Sequence, residues 1–291
     1  MFKSGFVNII GLPNAGKSSI INRLLDDKFS IVTSKAQTTR HRAHAIINGK
    51  NFQVVISDTP GFTIPKNKIH EYMNKKILSS FKDADIILFI VELGVENRRD
   101  NELIEKIKKI KIPVLLVLNK VDKVNQDILE KESKFWSDEI ENIEIWVVSA
   151  KENFNIENLK NRVIELLPEG PKYYPDDIWT DKNERFFVNE IIREKIFNIY
   201  SQEIPYISEV ITESFKIRNK VLRISSIIIV ERDSQKGIII GNNGESIKKL
   251  GSESRKDLED FFKRKVFLEL NVKVYKDWRK NSNQLKKLGY N

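Results

Sequence analysis

Gly11-Leu12-Pro13-Asn14-Ala15-Gly16-Lys17-Ser18 is the stretch from which the rest of this sequence is read. An apolar run at 6–10 precedes it as a buried strand would, and residues 20–25 follow with helical spacing, the strand-loop-helix setting that a phosphate loop requires. The glycines let the backbone N–H groups around Asn14, Ala15, Gly16 and Ser19 turn inward at a helix N-terminus and cradle phosphate oxygens. Lys17 supplies a point charge to the β and γ oxygens, and Ser18 supplies a hydroxyl to magnesium. A chance glycine-rich turn would give this match in on the order of one per cent of chains this long, before the flanks are counted.

Outward from that loop, strand-like runs at 54–56, 86–91, 114–118 and 145–148 alternate with helical spacing, for example at 101–110 and 156–167. This is the rhythm of a doubly wound, mostly parallel sheet. Residues 43–47 and 52–56, separated by an Asn48-Gly49 turn signal, predict a hairpin that adds one antiparallel edge strand. Three prolines between Leu167 and Pro175 forbid a continuing helix and mark a boundary. Beyond it come a helix (185–200), two strands (210–217 and 221–230), a helical stretch and an alternating strand at 266–274, then a short helix over 278–288.

Three further clusters sit at strand ends, where doubly wound sheets bind ligands. Asp58-Thr59-Pro60-Gly61 offers a carboxylate that can hold magnesium through water and a Gly61 N–H that can approach a γ-phosphate. Asn119-Lys120-Val121-Asp122 offers a carboxylate that accepts from both N1–H and the exocyclic amine of guanine. Adenine has no such donor pair, so an unpaired Asp122 would penalise ATP. Ser149-Ala150-Lys151 ends the last strand, where its backbone can reach the guanine oxygen. Phe62 follows Gly61 where a water-positioning glutamine would stand, and it can neither donate nor accept. His41, His44 and His70 make a poor zinc set and read as solvated loop residues.

The ordered set resembles the translation-factor-related small GTPases, and more closely the Era family of bacterial GTPases. The likeness spans the chain: Gln37-Thr38-Thr39-Arg40, 167–175, Arg185-Phe186 with 190–195, Glu203-Ile204-Pro205-Tyr206, Val230-Glu231-Arg232, Trp278-Arg279 and Leu288-Gly289-Tyr290. It implies switch segments at about 29–42 and 58–72, with Thr39, or else Thr38, joining Ser18 and Asp58 on magnesium. It also implies that Asn14 helps coordinate potassium beside the phosphates; the alternative is that Asn14 only bonds the loop backbone.

A second constellation lies at Gly241-Asn242-Asn243-Gly244. Twelve glycines in 291 residues predict roughly half a Gly-x-x-Gly by chance, so the tetrad alone says nothing. Its setting, within a helix-strand-strand-helix-helix-strand order, is that of a type II KH domain, whose loop clamps a single-stranded backbone beside a groove for unstacked bases. A helix-capping turn is the competing explanation. Era relatives carry a lysine and a glycine inside this loop, so one phosphate-directed charge is absent here; Lys236, Lys248, Lys249, Lys263, Arg264 and Lys265 could compensate.

Composition agrees. At roughly 150 residues per domain, 291 residues suggest two domains. The expected division is a GTP-binding α/β domain over 1–170, a linker over 171–180 and a smaller α+β KH domain over 181–291 ending in a basic helix. The net charge of +9 is skewed, with 26 basic and 23 acidic residues up to 171 and 24 and 18 after it. Between Lys263 and Lys287 nine basic residues meet two acidic ones, an electrostatic footprint suited to nucleic acid. Zero cysteines exclude disulfides and thiolate chemistry and fit a reducing cytoplasm. By resemblance the partners are GTP/GDP, Mg2+, small-subunit (16S) ribosomal RNA near its 3′ end and the 30S subunit under assembly. A monomer is expected, with peripheral association at the inner membrane face left open. A metabolic phosphotransferase would need neither Asp122 nor an RNA module, and a GTPase of tRNA modification or membrane traffic would lack the Gly241–Gly244 setting.

Overall fold

The computed structural model describes all residues except 34, 36, 37, 64, 66, 96–99 and 291, so Gln37 of the quoted run lies outside the described residues. The chain divides into two units, Met1–Pro65 with Met73–Asp181, and Lys66–Tyr72 with Lys182–Asn291.

In the first unit the order is β1 (Lys3–Gly11), α1 (Lys17–Leu25), β2 (Ala43–Asn48), β3 (Phe52–Asp58), α2 (Lys68–Ser80, whose first turn is grouped with the second unit), β4 (Ile86–Glu92), α3 (Asn101–Lys108), β5 (Val114–Asn119), α4 (Gln126–Glu139), β6 (Glu144–Val148) and α5 (Ile156–Leu166). The six-stranded sheet runs β2-β3-β1-β4-β5-β6, with only β2 antiparallel to its neighbour. Helices cover both faces, so strands such as β4 and β5 are continuous apolar runs rather than alternating ones.

The hairpin is present, but its turn differs from the one predicted. Asn48 pairs with Gln53 inside the ladder, and the chain turns over 49–52, closed by Gly49 N–H donating to Phe52 O at 2.9 Å. The proline-rich segment also differs from a free linker. Residues 171–181 lie with the first unit and pack along its edge. The buried Gln53 amide accepts from Tyr173 N and Tyr174 N at 2.8 and 3.0 Å and donates to Tyr174 O at 2.8 Å. Ile46 N–H donates to Trp179 O at 2.9 Å, and His44 Nδ1 sits 3.1 Å from Asp181 Oδ2. His44 is therefore a partly buried, paired residue of β2 and not the solvated one expected. These contacts cover an edge strand that would otherwise present bare peptide groups.

The second unit contains α6 (Glu184–Ile199), α7 (Ile204–Ile207), β7 (Glu209–Arg218), β8 (Val221–Val230), α8 (Asp233–Ile240), α9 (Glu245–Phe262), β9 (Val266–Val274) and α10 (Ser282–Lys287). Its sheet runs β7-β8-β9, antiparallel then parallel. Alternation along β9 holds: Val266 and Val272 are buried, while Phe267, Glu269, Asn271 and Lys273 are exposed. The terminal helix is two pieces. A 3-10 turn at Trp278–Lys280 stops at Asn281, whose side chain caps α10 by accepting from Asn283 N and Gln284 N. Among the described residues no helix is long and apolar enough to cross a membrane.

Candidate functional site

The loop between β1 and α1 is shaped by two left-handed residues, Asn14 at φ 68° and Gly16 at φ 95°. A Cβ on Gly16 would lie 2.1 Å from Asn119 Nδ2, so only glycine lets this loop meet the Asn119 loop. Gly61 is held in the same way, since its Cβ would stand 2.9 Å from Pro13 Cα. Lys17 is buried and donates to the carbonyls of Gly11 and Leu12 at 3.2 and 3.0 Å. Burial lowers its pKa to about 8, against the pull of the Asp58 carboxylate.

Three oxygen-bearing side chains converge beside it. Ser18 Oγ lies 3.2 Å from Thr39 Oγ1, which in turn lies 3.4 Å from Asp58 Oδ2. An all-oxygen set with a carboxylate suits a hard cation such as Mg2+, and the approach is made by Thr39. Ser30 adds a hydroxyl that donates to Asp58 Oδ2 at 2.6 Å. No motif marks Ser30, and sequence reading missed it. Phe62 is only 5 % exposed and packs into the core. Truncating it to alanine removes about 3 to 5 kcal/mol of stability, so that variant probes folding and not chemistry.

The neighbouring cleft, about 630 Å³, is lined by Gly16, Arg23, Asn119, Asp122, Ala150 and Lys151 among others. Asp122 Oδ1 accepts from Ser149 Oγ at 2.6 Å, which aims the exposed carboxylate. Asn119 lines this cleft as well. Its buried amide donates to Ala15 O at 2.9 Å and accepts from Ala150 N at 3.1 Å, tying the phosphate loop to the loop after β6. Lys120 Nζ donates to Asn14 O at 2.7 Å and pairs with Glu92 at 2.8 Å, so its stem runs along the cleft. Arg23 was also missed: it donates to Ala150 O and Lys151 O at 2.8 and 3.0 Å and fixes that loop from α1.

In the second unit α8 ends at Gly241, φ 72°, and a 3-10 turn over Asn242–Gly244 leads into α9. A Cβ on Gly241 would meet Ser246 Oγ at 2.3 Å, while Gly244 takes φ 77°, so both glycines are required by the backbone. Asn242 and Asn243 are exposed at the tip. Between α9 and β9 runs a groove of about 380 Å³, lined by Ile247, Lys248, Gly251, Arg255, Phe267 and Leu270 among others. Lys248 lines it; Lys236 and Lys249 lie outside its lining. Arg255 and the half-exposed Phe267, whose ring has the Arg223 guanidinium 5.1 Å from its centre, had no sequence signal of their own.

Two family models match this chain, one described as 50S ribosome-binding GTPase over residues 6–120 and one as KH domain over 203–279. The chain is 44% identical over its whole length to GTPase Era of Clostridium acetobutylicum, covering 98% of that protein, and 45% identical over 99% of its length to GTPase Era of Geotalea daltonii. Among solved structures it is similar to a point variant of Aquifex aeolicus Era bound to GDP and aluminium fluoride, at 35% identity and a TM-score of 0.92, with 99% of each chain covered. It is also similar to Era in complex with MgGDPNP and nucleotides 1506–1542 of 16S ribosomal RNA, at 36% identity and a TM-score of 0.93, covering 100% of this chain and 99% of that one.

Proposed function

The chain belongs to the Era family of GTPases, with a GTPase domain followed by a KH domain, and from that premise we propose how its residues divide the work. It binds GTP with Mg2+, hydrolyses it, and holds small-subunit ribosomal RNA near the 3′ end through the KH domain while the 30S subunit is assembled in the cytoplasm. One observation carries this reading: the relative solved with MgGDPNP and 16S RNA nucleotides matches this chain across both units. The family description naming the 50S subunit rests on residues 6–120 alone, outside the KH match at 203–279.

In this reading the N–H groups around Asn14 to Ser19 and Gly61 hold the phosphates, and Lys17 neutralises them. Ser18, Thr39 and Asp58 hold Mg2+, which supplies charge compensation on the phosphate oxygens when bound. Asp122 reads the guanine edge, while Ser149, Ala150, Lys151 and Lys120 shape its slot and Asn119 holds the slot to the phosphate loop. Replacing Asp122 with asparagine inverts the pattern facing the purine 2-position. That variant binds GTP at least tenfold more weakly, since charge-assisted bonds are worth about 1.5 to 3 kcal/mol each, and it gains xanthosine triphosphate. Titration calorimetry with both nucleotides decides the assignment; unchanged GTP affinity would remove it.

Phe62 supplies no polar group for water, and Asn14, held left-handed in the phosphate loop, can offer its amide oxygen to a potassium ion beside bound phosphates. Hydrolysis is then faster in potassium than in sodium, and Asn14→Ala erases the difference. Equal rates in the two salts would leave Asn14 as a loop residue only.

A further inference from the structure

Glycine is among the costliest residues to place inside a helix, yet Gly251 sits in the interior of α9. Its own packing does not demand it. A Cβ built there would find only Leu270 Cδ1, at 3.7 Å, an ordinary contact, and its backbone is not left-handed. What the missing side chain changes is the space beside it, because Gly251 lines the groove between α9 and β9. Lys248 and Arg255 flank it on the helix, and Leu268, Leu270 and the exposed ring of Phe267 form the opposite wall. An apolar floor with an aromatic wall and cations along one side is suited to an unstacked base whose phosphates stay outside.

We infer that Gly251 sets the depth of this groove: the bare helix backbone there is the surface on which an RNA base lies, and any side chain at 251 would take up the space of that base. The inference rests on the KH domain being the RNA-binding part of the chain and adds the residue that determines how deeply a base enters. It predicts two effects of opposite sense. Gly251→Ala improves the helix and raises the thermal midpoint of the domain by about 4 °C. The same methyl group overfills the groove and weakens binding of a single-stranded 16S 3′-end fragment about tenfold.

Gly237→Ala is the control. Gly237 is an exposed residue of α8, a Cβ there meets nothing within 4 Å, and it does not line the groove. It should raise the midpoint likewise and leave RNA affinity unchanged.

Both variants are made in the full chain and compared with wild type and with the double variant Asn242→Asp, Asn243→Asp, by calorimetric melting and fluorescence anisotropy. A more stable, weaker-binding Gly251→Ala beside a more stable, normally binding Gly237→Ala supports the inference. If Gly251→Ala binds like wild type while the aspartate pair does not, Gly251 has no such role and the KH reading stands. If all the variants bind like wild type, the KH reading falls as well. A lowered midpoint for Gly251→Ala, or an equal loss of RNA binding in Gly237→Ala, overturns the inference by making the glycine structural or the effect one of helix stiffness.

Discussion

With Lys17 replaced by alanine, GTP affinity falls about 100-fold and hydrolysis drops below detection, while far-ultraviolet circular dichroism stays as in wild type. The ammonium is the one cation buried against the carbonyls of Gly11 and Leu12 among the described residues of the loop, and the loss of its charge-assisted bonds to the phosphates corresponds to about 3 kcal/mol. A pH signature accompanies it. Burial leaves Lys17 with a pKa of about 8 in the nucleotide-free protein, and phosphates beside the ammonium raise that value. GTP binding near pH 8 and above therefore takes up a proton, and affinity declines as pH rises through about 8. Stability of the free protein carries the opposite slope. Between about 8 and the ordinary lysine value of 10.5 the unfolded chain holds a proton that the folded chain has released, so stability rises with pH across that window. Calorimetry in buffers of different ionisation enthalpy reads the proton uptake directly; no uptake in wild type, or the same uptake in Lys17→Ala, would contradict the assignment.

The second large effect lies in the other unit. Replacing Asn242 and Asn243 together by aspartate abolishes binding to a 16S 3′-end RNA fragment, a loss of at least 100-fold, because two carboxylates at the exposed tip would face phosphates at close range. Gly241 and Gly244, which the backbone needs, are untouched, so the fold and GTP affinity remain. Neutralising Lys248, which lines the groove, flattens the salt dependence of wild-type binding by about 0.7 for the contact removed, while Lys249, outside that lining, changes it less. Anisotropy at several salt concentrations gives both answers. Undiminished binding by the aspartate pair would move the RNA to the basic C-terminal segment.

What could be read from the sequence was whatever depends on local pattern. The phosphate loop, the strand-end tetrads and the alternation of β9 declare themselves through periodicity and spacing, because each is built by neighbours in the chain. The partners across space did not. The tetrad marks Asn119 but not the span its amide makes between Ala15 and Ala150, and Ser30 and Arg23 reach the site from segments without a motif. The prolines after Leu167 correctly end a helix, yet they carry no information that the buried Gln53 amide will hold the following segment to the sheet edge. Asn48-Gly49 signals a hairpin but not its register, which the paired apolar faces of β2 and β3 set instead. In the groove, Phe267 follows the alternation as a wet position; its place opposite Gly251 is a consequence of tertiary packing.

The central claim, that this GTPase acts on the 3′ end of small-subunit ribosomal RNA through its KH domain, is tested most directly by crosslinking the protein to RNA in cells and sequencing what is bound. The predicted result is a peak at the 3′ end of 16S RNA that disappears in the Asn242→Asp, Asn243→Asp variant. A peak on large-subunit RNA or tRNA, or a 16S peak that survives in the variant, would contradict it.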